Sequence, residues 1–264
     1  MSLIERHTIS LLCPTRGRPD YVVNHLKSIQ ETVAARERLE LMFYVDRDDP
    51  CLPEYEAVFG ERGMRASPRT RFDIVGIVGD RVGTPKAINC MAGQSTGRYL
   101  MISNDDLLFT TPGWDDAVDR AAARYPDGIF NIYFNDGYFG EDLSCFPIVG
   151  RPWFEALGYY APVLFDHCNV DLWIHRMGAL LGRNIYLPDV AVEHRHFEDD
   201  GEGARFNWQQ EGPARRRLAR DNAYFKIFER YLMLDRDILL DVIQGRPSRV
   251  SSAKDLATQF SYNL

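Results

Sequence analysis

Tyr99–Phe109, YLMISNDDLLF, joins a strand-like apolar run to an acidic stop. An apolar run of strand character stops at Asn104, Asp105 and Asp106 and then resumes. A continuous apolar run of this kind reads as a strand covered on both faces. Two adjacent carboxylates cannot continue into such a core, so they must emerge at a sheet edge or a cleft. Paired carboxylates where a buried parallel strand stops suit a hard divalent cation that also touches phosphate oxygens. The same residues could equally cap the following turn.

Reading toward the N-terminus, the layout repeats. Phe72 to Val78 (FDIVGIV) is a strand closing in Gly79 and Asp80, and Thr84 and Pro85 look like the N-cap and first position of a helix through Met91. Leu41 to Val45 (LMFYV) is another strand, ending in Asp46, Arg47, Asp48, Asp49 and Pro50. Thr8 to Cys13 (TISLLC) leads into the polar turn Pro14, Thr15, Arg16, Gly17 and Arg18, after which Val22, Leu26, Ile29 and Val33 recur at helical spacing. Strands with polar carboxyl ends, alternating with helices, predict a mostly parallel sheet. Between Leu52 and Arg71 the pattern gives a short helix and a loop.

Toward the C-terminus, Thr111 and Pro112 signal a helix carrying Trp114 and Val118, stopped at Pro126 to Gly128. Ile129 to Phe134 is a strand, and Gly137 to Gly150 reads as a hairpin. A short helix from Pro152 to Leu157, an aromatic loop from Gly158 to Phe165 and a helix from Cys168 to Leu181 follow. Ile185 to Leu187 and Val190 to Phe197 read as two short strands. Glu198 to Pro213, charged and nearly free of aliphatics, predicts a mobile loop that could cover a site. One helix is expected from Ala214 to about Ile243, then a polar tail.

With 264 residues, 45% of them hydrophobic, the chain can bury a large core. The expected organisation is an α/β half over 1–135, a subdomain over 136–213, and a helix with tail over 214–264. The five cysteines form no CxxC pair, which argues against a disulfide framework or a zinc knuckle. A net charge of -7 disfavours bulk attraction to nucleic acid or anionic membrane. No window approaches eighteen apolar residues and MSLIERHTIS lacks the features of a secretory signal, so a cytoplasmic location is expected.

The strand ends would gather Thr15, Arg16, Asp46, Asp80, Asp105 and Asp106 on one edge, where open α/β sheets bind ligands. His194 and His196 lie two apart in VAVEHRHF and would share one face of a strand, as metal ligands can. FDHCNVDLW puts Asp166, His167 and Asp171 at a helix start, where carboxylates also serve as caps. Trp153, Phe154, Tyr159, Tyr160, Phe165 and Trp173 form an aromatic group that could stack on a sugar or simply be core. GxGxxG, GxxxxGKS and GxSxG are absent.

Taken together, these segments resemble a family 2 glycosyltransferase of the GT-A type over roughly Thr8 to Phe197. ISLLCPTRGRP resembles the opening strand and loop, FYVDRDDP the second strand with its nucleotide-contacting Asp, and GTPKAINCMAGQSTGRYLMISNDD the helix before the DxD strand. VLFDHCNVDLW and VEHRHF resemble the acceptor-side acidic helix and the late metal-binding His. The resemblance implies a GT-A-like mostly parallel sheet flanked by helices, with a small acceptor-side subdomain and a C-terminal helix. It implies transfer from a nucleotide diphosphate sugar, UDP-type favoured, to an acceptor hydroxyl on Mn2+ or Mg2+, by inverting single displacement.

Nucleotide contacts would fall to Pro14, Thr15, Arg16, Asp46, Asp80, Lys86, Asn89, Asn104 and Asp105. Metal ligands would be Asp105, Asp106 and His194 or His196, and Asp171 the base. The acceptor, whether glycan, lipid, protein or modified nucleobase, would meet Trp153, Asp166, His167 and Trp173. Ser103 stands where the motif's first Asp contacts the ribose, and Ile88 where an Arg usually precedes Asn89. A sugar-phosphate nucleotidyltransferase and a non-catalytic carbohydrate-binding protein of the same fold are the competing readings.

Overall fold

The apolar runs become strands of one eight-stranded sheet. A computed structural model describes residues 7–59, 72–195 and 212–247. Its strands are β1 (His7–Thr15), β2 (Leu39–Asp46), β3 (Asp73–Gly79), β4 (Gly97–Ile102), β5 (Leu107–Phe109), β6 (Asn131–Asn135), β7 (Ile148–Gly150) and β8 (Asn184–His194). They lie in the order β3-β2-β1-β4-β7-β6-β8-β5. The first four are parallel, with Leu11 of β1 opposite Leu41 of β2 and Met101 of β4. Their carboxyl ends, Thr15, Asp46, Gly79 and Ile102, therefore open on one edge, as the sequence pattern predicts.

Beyond β4 the sheet changes direction. β7 runs antiparallel to β4 and β6, and β8 runs parallel to β6. The acidic turn carries the chain off the parallel sheet, so β5 pairs antiparallel with β8, Leu107 opposite His194. That pairing brings a strand from residue 107 and one from residue 194 into one ladder.

The helices are α1 (Pro19–Thr32), α2 (Leu52–Phe59), α3 (Thr84–Gln94), α4 (Trp114–Ala122), α5 (Arg151–Leu157), α6 (Val170–Leu181), α7 (Gly212–Phe228) and α8 (Leu232–Ile243). α1, α2 and α4 cover one face through Val22, Leu26, Ile29, Tyr55, Phe59, Trp114 and Val118. α3, α5, α6 and α8 cover the other through Ile88, Met91, Trp153, Trp173, Met177 and Leu239. Fully buried Trp114 stacks on Phe109 at 4.3 Å, anchoring α4 beneath β5. Losing such a ring costs about 3–5 kcal/mol.

Several elements differ from expectation. Gly137 to Gly150 is no hairpin: Asp136 Oδ1 accepts the N–H groups of Tyr138, Phe139 and Gly140 and turns the chain into a 3-10 segment, Gly140–Asp142, before β7. β8 is one strand where two were expected, because a register shift opposite Phe134/Asn135 absorbs the interruption. The single C-terminal helix is two, α7 and α8, joined by a 3-10 turn, Glu229–Tyr231. Gly83, rather than Thr84, is the N-cap of α3, and Gly113, with φ 73°, rather than Thr111, that of α4. α6 begins at Val170 after Asn169, which sits left-handed at φ 67°. The predicted loop Glu198 to Pro213 lies outside the described residues up to 211.

Candidate active site

The acidic turn leaves β4 toward the end of β1. Thr15 Oγ1 donates to Asp105 Oδ2 at 2.6 Å and lies 3.0 Å from the Tyr55 hydroxyl. Arg18, which follows the same strand, reaches both carboxylates: Nη2 meets Asp105 Oδ1, and Nη1 lies 3.2 Å from Asp106 Oδ2. Its backbone N–H is fixed on the Tyr55 hydroxyl at 2.8 Å. On the other side His194 Nε2 stands 3.4 Å from Asp106 Oδ1, and the Arg195 N–H donates to the Asp106 carbonyl. A cavity of about 110 Å3 opens here, lined by Tyr21, Asn24, Asp105, Asp106, Leu108 and Arg195.

The electrostatics follow from burial. Asp105 is 1% exposed, and desolvation pushes its carboxyl up to about 6 although Arg18 opposes this. Burial also pushes Asp106 upward, but His194 and Arg18 outweigh it and hold that carboxyl below the usual range. Two buried oxygens, Asp105 Oδ1 and Asp106 Oδ1, have no hydrogen-bond partner in good geometry. Buried carboxylate oxygens left this way call for positive charge, and oxygen donors beside an imidazole suit Mn2+ or Mg2+. No three His, Cys, Asp or Glu side chains among the described residues converge into a formed metal centre. The guanidinium of Arg18 supplies the countercharge here, and a divalent cation at these oxygens would have to displace it.

The remaining predicted residues are spread along this edge. Arg16 Nη1 bridges Asp46 Oδ2 at 2.9 Å and Asp48 Oδ1 at 2.6 Å, and the Gly17 N–H donates to Asp49. Pro14 is the penultimate residue of β1, and the Asn104 carbonyl accepts the Leu107 N–H. Asp80 points outward, 3.3 Å from Arg47. Lys86, on α3, makes no hydrogen bond or ion pair to another described residue. Ser103 is fully buried and its hydroxyl lies 3.2 Å from His25 Nε2, so it faces the core.

Asn89 is committed to packing. Its Oδ1 accepts the N–H groups of Tyr160 and Ala161, and its Nδ2 donates to the Ala161 carbonyl. In this way Asn89 clamps the aromatic loop onto α3. Trp153 and Trp173, 1% and 3% exposed, belong to the core and offer no open ring face for stacking on an acceptor.

Asp171, at the start of α6, accepts the Leu172 N–H at 2.8 Å, and burial raises its carboxyl pKa. The charge of His194 also acts on it, in the lowering direction. Asp166 and His167 sit on the loop before α6. The Asp166 carbonyl accepts the Thr84 N–H at 3.2 Å, and His167 Nδ1 lies 2.9 Å from Thr84 Oγ1. His196 lies outside the described residues.

Sequence reasoning gave Arg18 no role beyond the turn, although it stands three residues after Thr15. Tyr55 lies outside every segment singled out from the sequence, and Arg195, although inside VEHRHF, was passed over for the histidines that flank it. Only the folding of the β1 loop over β4 reveals them.

The architecture is that of GT-A-type glycosyltransferases. No protein-family model matches the chain, and no curated protein matches it in sequence. Solved structures do match. A mannosyltransferase from Pyrobaculum calidifontis, in complex with GDP-Man and Mn2+, aligns over 99% of this chain and 82% of its own at TM-score 0.59 and 16% identity. TarS 1-349 from S. aureus in complex with UDP aligns over 74% of this chain at TM-score 0.56 and 12% identity, the match spanning 62% of that protein. Its complex with UDP-GlcNAc aligns over 93% of this chain and 74% of its own at TM-score 0.55 and 13% identity. No helix among the described residues is long and apolar enough to cross a membrane.

Proposed function

We propose that this protein transfers a sugar from a nucleoside diphosphate sugar, UDP-type, to an acceptor hydroxyl, with a divalent cation held by Asp105, Asp106 and His194. One observation carries the reading: two adjacent carboxylates lie buried at the carboxyl end of a central parallel strand, facing an imidazole brought in by β8. The neighbours in which UDP, UDP-GlcNAc or GDP-Man with Mn2+ is bound support the ligand class.

The bound cation would supply Lewis-acid stabilisation of the charge that builds on the departing diphosphate. Thr15 holds Asp105 in place through its hydroxyl, and the β5/β8 ladder holds His194 against Asp106. Arg16, Asp46 and Asp48 form the polar rim that takes the nucleoside. Asp171 receives the acceptor proton, and its raised pKa makes it a stronger base than an exposed carboxylate. Attack opposite the leaving group then inverts the anomeric centre in one displacement.

Calorimetry with UDP and Mn2+ tests this. The unaltered protein binds UDP in Mn2+, and excess chelator, Asp105→Asn or Asp106→Asn each weaken binding at least tenfold. Equal affinity with and without the metal would sink the proposal.

A further inference from the structure

Beside the cleft lies a second cavity of opposite character. It measures about 330 Å3 and is lined by Arg81, Arg216, Arg217 and Arg220. The chain as a whole is acidic, 31 Lys and Arg against 38 Asp and Glu, so four guanidinium groups around one opening do not follow from composition.

We propose that this cavity is a subsite for a phosphate-bearing acceptor, an inference that rests on the transferase reading above.

Three observations support it. First, the positive charge is only partly spent. Arg220 lies 3.4 Å from Asp166 Oδ2 and 3.3 Å from Asp221 Oδ1. Arg81 and Arg216 form no ion pair with a described residue, and the buried Arg217 Nε has no hydrogen-bond partner. Guanidinium groups with free forks match phosphate oxygens bidentately.

Second, the site is built. Fully buried Asp221, on α7, accepts the N–H groups of Asp166, His167 and Cys168 through its carboxylate. Thr84 ties that same loop to α3. The three segments that carry or flank the arginines are therefore locked together, which lowers the ordering cost of binding.

Third, the cavity is separate from the acidic one. The two share no lining residue. His167 feels the charge of both Arg18 and Arg217 and lines neither cavity. The donor's diphosphate belongs with the cation at Asp105 and Asp106, so an anion drawn by the arginines belongs to the second substrate. The size lies within the usual range of small-molecule sites.

The test uses the full chain and inorganic tripolyphosphate without metal, followed by UDP with Mn2+. Arg81→Gln combined with Arg216→Gln should weaken tripolyphosphate binding at least tenfold and flatten its salt dependence. Arg215→Gln removes an exposed neighbouring charge that does not line the cavity and should change binding less than twofold. UDP affinity in Mn2+ should stay within about twofold in the double variant. Parallel loss of UDP affinity would assign the cavity to the donor and overturn the proposal, as would equal weakening by Arg215→Gln. Absence of UDP binding to the unaltered protein would remove the transferase reading and with it the acceptor assignment, while the tripolyphosphate measurements would still report whether the arginines form an anion site.

Discussion

Replacing Arg18 with Ala separates the two uses of the acidic pair. In the metal-free protein Arg18 is the countercharge of both carboxylates, and its side chain is 26% exposed while that of Asp105 is wholly covered. Removing one partner of a buried ion pair costs about 3–5 kcal/mol. The partial exposure of Arg18 admits water and screening, which reduces this to about 2–3 kcal/mol. For a chain of this size that is a fall in Tm of roughly 4–12 °C. A cation and Arg18 compete for the same oxygens, so Mn2+ should bind the variant more tightly than the parent and restore most of the loss. At a hundredfold excess over its Kd, a ligand adds about 2.7 kcal/mol. Differential scanning calorimetry in chelator and in Mn2+ reads both quantities. If Mn2+ raises the Tm of parent and variant equally, Arg18 is not standing in for a metal and the competition argument fails.

Other outcomes follow from single residues. Asp171→Asn should leave UDP binding unchanged and lower turnover by about 10²–10⁴-fold, the range for a lost general base, as read by nucleotide release. The parent's rate should fall on acidification at a pH above the ordinary carboxylate range, because burial raises the pKa of Asp171. Asp235, which receives the Tyr159 hydroxyl, is pushed by burial up to about 6. The folded state then holds this proton more tightly than the unfolded chain, so stability is lost as pH rises from about 4 to about 6. Asp235→Asn should therefore stabilise the protein above pH 6, by at most about 3 kcal/mol, and urea denaturation at pH 5 and pH 8 checks the sign. Gly150→Ala would put a Cβ 2.1 Å from the Gly128 carbonyl oxygen, a backbone atom that cannot step aside. A loss of about 3 kcal/mol is expected, visible as a lower urea midpoint.

Much of the parallel half was legible because a strand buried on both faces leaves an uninterrupted apolar run and a polar stop. FDIVGIV, LMFYV and YLMI became β3, β2 and β4, and the helical spacing of Val22, Leu26 and Ile29 became the buried side of α1. The second half was less legible because its elements depend on distant partners. Asp136 folds its own following residues into a turn, and Asp221, from α7, takes up the N–H groups of the loop ahead of α6, whose start is set by left-handed Asn169. Neither interaction leaves a periodic trace.

Local sequence fixes which strands are buried, where each stops, and that Asp105 and Asp106 stand at such a stop, since hydrophobic period acts through neighbouring residues. That both carboxylates are nevertheless covered is a result of the folded chain. Which side chains meet there depends on contacts between distant segments. Pairing of β5 with β8 puts His194 against Asp106 across 88 positions of sequence. The β1 loop brings Arg18 onto the same carboxylates, and core packing withdraws Ser103, Trp153 and Trp173. Pairing register and burial are properties of the whole sheet, and no single segment encodes them.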